Sequence, residues 1–319
     1  METVCCNLCG SATYREIYSM PDCKFYKDRF FTIVECERCG LGFVNPRPSP
    51  EEMEEYYPDE FFKYFDETHE YHQKRYLRQA QIVECYSKVK NGAKLLDIGC
   101  AYGDFPHLMQ TRGWLAEGVE PYCKTLRFPE IRVYSSDFLN LSLPEESYDV
   151  ITAWAVLEHT HDPMAYFMKV AKLLKRGGIF VFLVTNFESI SSKYLFREDI
   201  PRHLYFFSRK TISAYAQNTG FECLKFINDD SLYTMYPLHW LQWLIWRFIL
   251  RRKLLWQELY PSRSEFIRTD KLSHGMLTSL RYVVKYPVES VDLIFTPLVA
   301  KLQILTGTYG ILTCVLRKL

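Results

Sequence analysis

Short apolar runs punctuate the middle of this 319-residue chain, and charged or mixed stretches separate them. The run Leu95–Ile98 has the composition of a buried parallel strand and is followed by a small-residue loop and then a helix. Further strands are predicted at 114–120, 133–137 and 221–227. Strands that alternate with helices in this way predict an α/β fold with a parallel sheet.

Helix signals lie before and between these strands. Residues 68–90 contain few helix breakers and set tyrosines and valine among charged residues, so we expect an amphipathic helix there. Ser49 follows a proline-stiffened linker and is expected to be the N-cap of a short helix. Ser208 is expected to cap a helix over 210–218, which Gly220 closes.

The loop after Leu95–Ile98 has the features of a nucleotide-binding turn. Its glycines let backbone approach a ligand, and the following helix directs its N-terminal amides into the same crevice. Hydride-transfer dinucleotide sites use G-x-G-x-x-G, whereas here Asp97 precedes Gly99 and the next glycine is Gly103. Glu120 stands about twenty residues after the loop, where a carboxylate accepts hydrogen bonds from ribose hydroxyls.

Five motifs over residues 93–184 resemble, in order and spacing, those of class I S-adenosylmethionine (SAM) methyltransferases. The first is the loop that follows Asp97, and the fourth is the strand and loop that contain Trp154. The resemblance implies SAM as cofactor and a Rossmann-like, doubly wound, seven-stranded sheet whose last strand lies at 310–319. Many relatives have glycine where this chain has Ala101, whose methyl group narrows the loop but keeps the turn.

The same resemblance implies the cofactor contacts. The loop shapes the site, the acidic end of the second strand holds the ribose, and the acidic and aromatic pair after the third strand contacts adenine. Trp154 is expected to border the methionine moiety or the acceptor. The cofactor-binding residues implied are Asp97, Gly99, Cys100, Ala101, Gly103, Glu120, Pro121, Asp137, Phe138 and Trp154.

Two C-x-x-C-G knuckles, Cys6–Gly10 and Cys36–Gly40, stand near the N-terminus. Each offers two thiolates in a tight turn, and aromatic and β-branched segments between them predict the strands of a small ribbon. We expect a closed, structural zinc ion held by four thiolates, those of Cys6, Cys9, Cys36 and Cys39. Cys5 is an alternative to Cys6, and a set of free buried thiols is the alternative to a metal site.

Composition and charge narrow the class of protein. The chain is 48% hydrophobic and 24% charged, as in globular proteins, and its length predicts about two domains. A net charge of +1 and an acidic stretch at 51–70 argue against a nucleic-acid partner, which needs a basic face. Met1–Gly10 lacks the pattern of a secretory signal, so we expect a cytoplasmic location.

Methyl transfer needs an acceptor atom in line with the methyl group and often a base that removes a proton. His203 lies in 197–208, which resembles the family's R-H-L-x-x-F-S stretch. It is the preferred base, because neutral imidazole accepts a hydroxyl proton near pH 7. His159, in the loop after the fourth strand, is the second choice. The structural alternatives are that His159 orients the cofactor loop and that His203 fixes its own loop.

About eighty residues separate the strand at 221–227 from the one at 310–319, far more than an ordinary loop. Leu232–Trp256 is heavily apolar, but polar residues and a proline interrupt it too often for a membrane span. We expect an interfacial helix paired with a second apolar stretch at 291–305. It would rest on the inner membrane face as a peripheral contact, or pack on the core or in a homodimer through 232–256.

The expected protein is a SAM-dependent methyltransferase that methylates an oxygen, less often a nitrogen or carbon, of a small-molecule or glycan-type acceptor. Its ribbon, linker and tyrosine-rich helix resemble a bacterial subfamily associated with surface-glycan and secondary-metabolite pathways. With a membrane contact, the acceptor would be a lipid-linked glycan. The alternatives are an NAD-dependent oxidoreductase and a zinc-ribbon interaction module with an inactive nucleotide fold. The predicted domains are a zinc ribbon (1–47), linker and lid helices (48–90), a SAM-binding core (91–228), an apolar helical insertion (229–309) and the last core strand (310–319).

Overall fold

The computed structural model describes residues 1–22, 26, 28–58, 69–88, 92–122, 125–194, 198–251 and 287–319. Its strands are β1 (Tyr14–Pro21), β2 (Phe30–Cys36), β3 (Gly42–Val44), β4 (Lys94–Ile98), β5 (Leu115–Val119), β6 (Val133–Tyr134), β7 (Tyr148–Trp154), β8 (Leu174–Thr185), β9 (Tyr205–Phe206), β10 (Phe221–Ile227) and β11 (Ile311–Lys318). Its α-helices are α1 (Pro50–Met53), α2 (His69–Tyr86), α3 (Asp104–Thr111), α4 (Pro163–Leu173), α5 (Arg209–Asn218), α6 (Trp240–Leu244) and α7 (Pro287–Thr306).

Seven strands form the central sheet in the order β10-β11-β8-β7-β4-β5-β6. The five neighbouring strands β6, β5, β4, β7 and β8 pair in parallel. Strand β11 runs antiparallel between β8 and β10. The chain builds outward from β4 through β5 and β6, then returns to the other side of β4 with β7. The loops after β4 and β7 therefore meet at a topological switch point, where such sheets bind ligands. The predicted doubly wound, seven-stranded α/β fold is confirmed.

The middle strands divide their side chains between two cores. In β8, Phe180 and Phe182 belong to one core, while Val181 and Leu183 belong to the other. This alternation follows from the two-residue period of a strand, and burial on both faces explains why the run is almost entirely apolar. Helices α4 and α5 contribute to the first core, and α2 and α3 contribute to the second.

A second, four-stranded sheet has the order β1-β2-β3-β9. Its last strand comes from residues 205–206, far along the chain, where Gly42 pairs with Phe206 and Phe43 with Tyr205. A Cβ atom on Gly42 would lie 3.0 Å from Cβ of Phe206, so glycine permits this close pairing. One hydrophobic core runs across both sheets, and the N-terminal segment is built onto the larger sheet.

Both expected N-caps are confirmed. The Ser49 hydroxyl accepts a hydrogen bond from the Glu52 amide at 3.3 Å, and the Glu52 carboxylate accepts one from the Ser49 amide at 2.9 Å. This reciprocal arrangement satisfies amides at the start of α1 that have no partner within the helix. Ser208 caps α5 in the same way, with Thr211 as its partner. The last strand also forms where it was expected, as β11.

The apolar insertion is described only in part. Where a helix is expected over Leu232–Trp256, the structure has α6 followed by a π-helical turn, Ile245–Ile249, and residues 252–256 lie outside the described residues. His239 precedes α6 with left-handed backbone, which explains why the helix begins at Trp240. Helix α7 packs against α6, as expected for the second apolar stretch. In the described part of the chain, no helix is both long enough and apolar enough to span a bilayer.

A buried ion network joins the N-terminal segment to the core. The fully buried Arg202 donates from Nη2 to Asp22 Oδ1 at 3.1 Å and to Asp199 Oδ1 at 2.6 Å. Its Nη1 donates to the backbone carbonyl of Tyr56 at 3.2 Å. A buried cation is tolerated only when it is paired and hydrogen-bonded, so these contacts hold residues from three segments together.

Replacing Asp22 with alanine should lower the free energy of unfolding by about 3–5 kcal/mol, because it leaves the buried Arg202 with a missing partner. Urea denaturation followed by fluorescence measures the change. Arg15→Ala is the control, since Arg15 is 67% exposed and its 2.6 Å pair with Glu35 contributes at most about 1 kcal/mol. Equal effects of the two substitutions would contradict a structural role for the buried network.

Candidate functional site

The loop between β4 and α3 lies at the switch point of the central sheet. Gly99, Ala101 and Gly103 all have left-handed backbone, with φ of 72°, 48° and 85°. A Cβ atom on Gly99 would lie 2.5 Å from Cγ2 of Val156, so the loop after β7 requires this glycine. The close approach of a ligand that the sequence suggested for Gly99 stays a prediction beside this packing constraint. Ala101 therefore adopts a backbone conformation that favours glycine.

Glu120 follows β5 and joins two loops beside this turn. Its Oε2 accepts a hydrogen bond from the Ala101 amide, and its Oε1 accepts one from the Tyr122 amide, both at 3.1 Å. Burial raises the pKa of Glu120, and the two amide hydrogen bonds act in the opposite direction. The carboxylate is therefore oriented next to the loop, in the position expected for a ribose ligand.

Asp97 lies beneath the loop and is only 2% exposed. Thr152 on β7 donates to its Oδ1 at 2.6 Å. Burial raises the pKa of Asp97 to about 8, although the Thr152 hydrogen bond and the Arg75 guanidinium oppose the shift. Asp97 thus links β4 to β7 under the site, and it is close enough to α2 for the charge of Arg75 to lower its pKa.

Two further expected cofactor residues are buried. The Cys100 side chain packs against Gly118, where a Cβ atom would overlap its sulfur. Phe138 is 1% exposed, and its ring packs against Tyr166 with the Lys169 ammonium 4.9 Å from the ring centroid. The expected contact between the Phe138 ring and adenine therefore has no exposed ring face to use. This position belongs to the first core.

The remaining expected residues lie at the edge of the site. Pro121 and Asp137 are exposed, and Asp137 Oδ1 accepts a hydrogen bond from the Leu139 amide at 2.7 Å. Trp154 ends β7 and packs edge-on against Phe105, with ring centroids 5.6 Å apart. All of the loop residues, Glu120 and Trp154 therefore gather at the same end of the parallel strands, as expected from the sequence.

Two buried polar groups near this end of the sheet have no hydrogen-bond partner among the described residues. They are the indole N–H of Trp154 and the side-chain amide of Gln79, which is fully buried on α2. Helix α2 packs against α3, the helix that follows the loop. Buried polar groups without partners are rare in folded proteins, and a polar ligand bound at this end of the sheet would supply partners for these two. A ligand with ammonium and carboxylate groups, such as SAM, would supply both donors and acceptors.

A cluster of titratable side chains lies between the loop after β7 and the segment before β9. Polar atoms of Glu158, His159 and His203 all lie within 4.8 Å of one another. The two imidazole rings meet edge to face, with centroids 4.7 Å apart. His159 Nδ1 is 3.0 Å from the Arg202 carbonyl and 3.1 Å from the Tyr57 hydroxyl. The structure therefore brings together the two histidines that the sequence offered as alternatives.

Glu198 fixes the orientation of His203. His203 Nδ1 lies 2.7 Å from Oε2 of this fully buried carboxyl, which also accepts hydrogen bonds from Thr185 at 3.1 Å and from Ser192. Burial raises the pKa of Glu198 to about 8 and, likewise, that of Glu158 to about 8. When Nδ1–H donates to a carboxylate, Nε2 becomes the basic nitrogen of the ring.

Glu158, Glu198 and Tyr57 are site residues that the sequence did not reveal. Glu158 precedes His159 directly, and a carboxylate beside a candidate base was the available signal. Glu198 and Tyr57 carry no such signal. They lie in loops that only the tertiary fold brings near the histidines.

The four cysteines of the two knuckles form a compact cluster. Sγ of Cys6 is 3.4 Å from Sγ of Cys39, and Sγ of Cys9 is 3.5 Å from Sγ of Cys36. Tetrahedral zinc with Zn–S bonds of about 2.3 Å needs separations of about 3.8 Å, so a small expansion accommodates the ion. Cys5 is exposed and outside this group, which disfavours it as a substitute for Cys6. The donor set fits a structural zinc site.

Comparison with known proteins points to methyl transfer. Residues 69–225 match the family model described as a methyltransferase domain. A ubiquinone biosynthesis O-methyltransferase of Saccharophagus degradans is 27% identical over 150 residues, which cover 40% of this chain and 63% of that protein. The protein of the same description from Idiomarina loihiensis is 31% identical over 105 residues, which cover 30% and 43%. The chain spans about half the length of these relatives.

The comparison with solved structures also found matches. Haemonchus contortus phosphoethanolamine N-methyltransferase 2 in complex with S-adenosyl-L-methionine matches with a TM-score of 0.45 and 19% sequence identity. The match covers 75% of this chain and 52% of that one.

The purified protein should contain about one zinc ion per chain, and Cys36→Ser should remove most of it, because three thiolates hold zinc far less tightly than four. Elemental analysis after gel filtration measures the metal. Cys5→Ser is the matched control, since Cys5 adjoins Cys6 but lies outside the cluster. Full zinc content in Cys36→Ser, or a loss in Cys5→Ser, would overturn the assignment of the four ligands.

Proposed function

Because residues 69–225 carry a class I SAM-dependent methyltransferase domain, we propose that the whole protein transfers the methyl group of SAM to an oxygen of a small-molecule or glycan-type acceptor. The observation that carries this proposal is the His203–Glu198 pair, with Nδ1 and Oε2 2.7 Å apart, next to the loop that follows β7. A base held in this way suits the removal of a hydroxyl proton.

The chain's own residues divide the work of cofactor binding. The β4–α3 loop and Glu120 would hold the nucleoside, with the carboxylate already oriented by two backbone amides. The indole N–H of Trp154 and the side-chain amide of Gln79 would form hydrogen bonds with the amino-acid end of the cofactor. The bound sulfonium supplies an electrophilic methyl group.

His203 would act on the acceptor. Nε2 of His203 would accept the proton of the acceptor hydroxyl, which leaves the oxygen free to bond to the methyl group that bound SAM would supply. Glu198 then stabilises the imidazolium through Nδ1–H, because its negative charge lies 2.7 Å away. His159 is held by backbone and tyrosine contacts and would help to position the acceptor. This assigns the base to His203 and leaves His159 as the positioning residue.

Two observations bear on the acceptor. The curated relatives are O-methyltransferases by name, which favours oxygen over nitrogen or carbon. The ribbon and linker resemble the glycan and secondary-metabolite subfamily, so a glycan-type acceptor, lipid-linked if the protein meets a membrane, remains our proposal. An NAD-dependent oxidoreductase or an inactive interaction module is the competing interpretation, and ligand binding separates them.

Calorimetric titration should show binding of S-adenosylhomocysteine and no binding of NAD. Glu120→Gln should weaken the binding by about tenfold, because the neutral amide of glutamine accepts a weaker hydrogen bond from ribose than the charged carboxylate does. Glu222→Gln is the control, since Glu222 is paired with Arg317 at the surface. Binding of NAD alone would favour the oxidoreductase, and binding of neither would leave only the interaction module.

His203→Ala should reduce kcat by about 10²–10⁴. The assay follows transfer of a labelled methyl group from SAM in a screen of hydroxylated small molecules and lipid-linked glycans. His107→Ala, on α3, is the control. The assay is repeated after brief exposure to EDTA, because three ligand-type side chains this close also suit a cation. An unchanged rate in His203→Ala, or a rate that EDTA abolishes while the zinc of the four cysteines is retained, would contradict proton transfer to His203.

The rate should also fall as the pH drops below about 8, where the raised pKa of Glu198 lets the pair take up a proton. Whether that proton resides on the carboxyl or on the ring, Nε2 then carries hydrogen and cannot accept another. Glu198→Gln removes the negative charge that stabilises imidazolium, so the acid limb of the pH–rate profile should move to lower pH. A limb that stays in place would show that Glu198 does not tune the base.

A further inference from the structure

Helix α7 is amphipathic in the reverse of the usual sense. Apart from Ala300, its residues with exposures of only 1–3% are polar: Ser290, Asp292, Thr296 and Gln303. Its outward residues are apolar and 41–82% exposed, and they form one continuous stripe: Val291, Ile294, Phe295, Leu298, Leu302 and Leu305. A surface helix normally turns its apolar stripe to the core, so this stripe, the outer face of α7, requires an explanation.

Hydrogen bonds hold α7 in this orientation. Asp292 Oδ2 accepts a hydrogen bond from the Leu241 amide at 3.2 Å, at the start of α6. Thr296 donates to Asp292 Oδ1 at 3.1 Å, and Gln303 Oε1 accepts a hydrogen bond from the Ile190 amide at 3.1 Å. Rotating the helix would bury its apolar stripe but would break these contacts and leave buried polar groups unpaired. The outward stripe is therefore part of the fold.

The apolar surface continues beyond α7. Helix α6 packs against α7, and the π-helical turn that follows α6 exposes Phe248 and Ile249 at 67% and 72%. Leu250 is also 54% exposed. Contiguous apolar surfaces of this kind mark sites of interaction with a partner or a membrane.

The charges beside this surface are positive. Arg247, Arg251 and Lys301 are exposed on the same elements. Among the described side chains of α6, its π-helical turn and α7, Asp292 is the only acidic one, and it is buried. In the sequence of 252–286, which connects the two helices, basic residues outnumber acidic residues seven to three. An apolar stripe bordered by cations is complementary to a bilayer with anionic headgroups.

We propose that the outer face of α7, together with Phe248–Leu250, docks the protein onto an anionic lipid bilayer without crossing it. The apolar side chains would enter the interface between headgroups and acyl chains, and Arg247, Arg251 and Lys301 would contact lipid phosphates. A symmetric contact between two copies would use the same patch twice and bring these cations together, which favours lipid as the occupant. This surface does not depend on the chemistry proposed above.

Co-sedimentation of the full-length protein with vesicles tests the proposal. Binding is expected to vesicles of phosphatidylcholine mixed with phosphatidylglycerol, weaker binding to phosphatidylcholine alone, and weakening with salt. Leu298→Glu should reduce the affinity by about tenfold or more, because a Leu that enters the interface is worth at least that factor. The matched control is Met168→Glu on α4, since Met168 is 52% exposed and Leu298 is 56% exposed. Lys301→Glu should weaken binding to the anionic vesicles only.

Three results would overturn the proposal. They are no binding of the wild-type protein to either vesicle, equal binding of Leu298→Glu and wild type, and a dimer that Leu298→Glu dissociates while vesicles do not bind. The last result would assign the face to a second copy of the chain. Titration of Leu298→Glu with S-adenosylhomocysteine shows that the variant is folded, and it separates failure of membrane docking from failure of the proposed cofactor.

Discussion

The buried guanidinium of Arg202 is the interaction on which the site depends. It binds Asp22 from the N-terminal segment, the Tyr56 carbonyl beyond α1, and Asp199. The loop of Asp199 also carries Glu198 and the proposed general base His203. A cation without exposure to water requires all of its partners at once. The position of His203, which follows Arg202 directly, is therefore set by contacts made more than a hundred residues away in sequence.

The cysteine-bearing N-terminal segment thus packs against the walls of the candidate site. Strand β3 pairs with β9. Arg47 donates hydrogen bonds to the Tyr205 hydroxyl at 2.8 Å and to the His161 carbonyl at 2.9 Å. These contacts reach the loop after β7 and the segment after His203 from the same side. A metal that stiffens the two knuckles would thereby stiffen the walls of the candidate site.

The molecule also has two surfaces of different character. At the carboxyl ends of the parallel strands, buried carboxylates lie beside two histidines. On α7, four polar side chains are buried and a stripe of apolar side chains is exposed. The hydrogen bonds of Asp292 and Gln303 keep this apolar stripe on the outside of the helix.

Local sequence determined much of this protein. Apolar runs with small-residue loops specified the strands of the parallel sheet. Serines specified where α1 and α5 begin, and Gly220 specified where α5 ends. The knuckles placed four cysteines in pairs. Each of these features depends on backbone conformations and side-chain periods that act within a few residues, so they are legible without the fold.

Tertiary structure decided the rest. The two-residue strand β9 has too short a pattern to be recognised, and its pairing with β3 depends on the close approach at Gly42. Phe138 became a core residue because Tyr166 and Lys169 cover its ring, and Glu198 reached His203 only through the fold of its loop. The orientation of α7 follows from hydrogen bonds to Leu241 and Ile190. Except for Glu198, which precedes His203 by five residues, each partner is distant in sequence, and no local pattern records which side of a residue it will occupy.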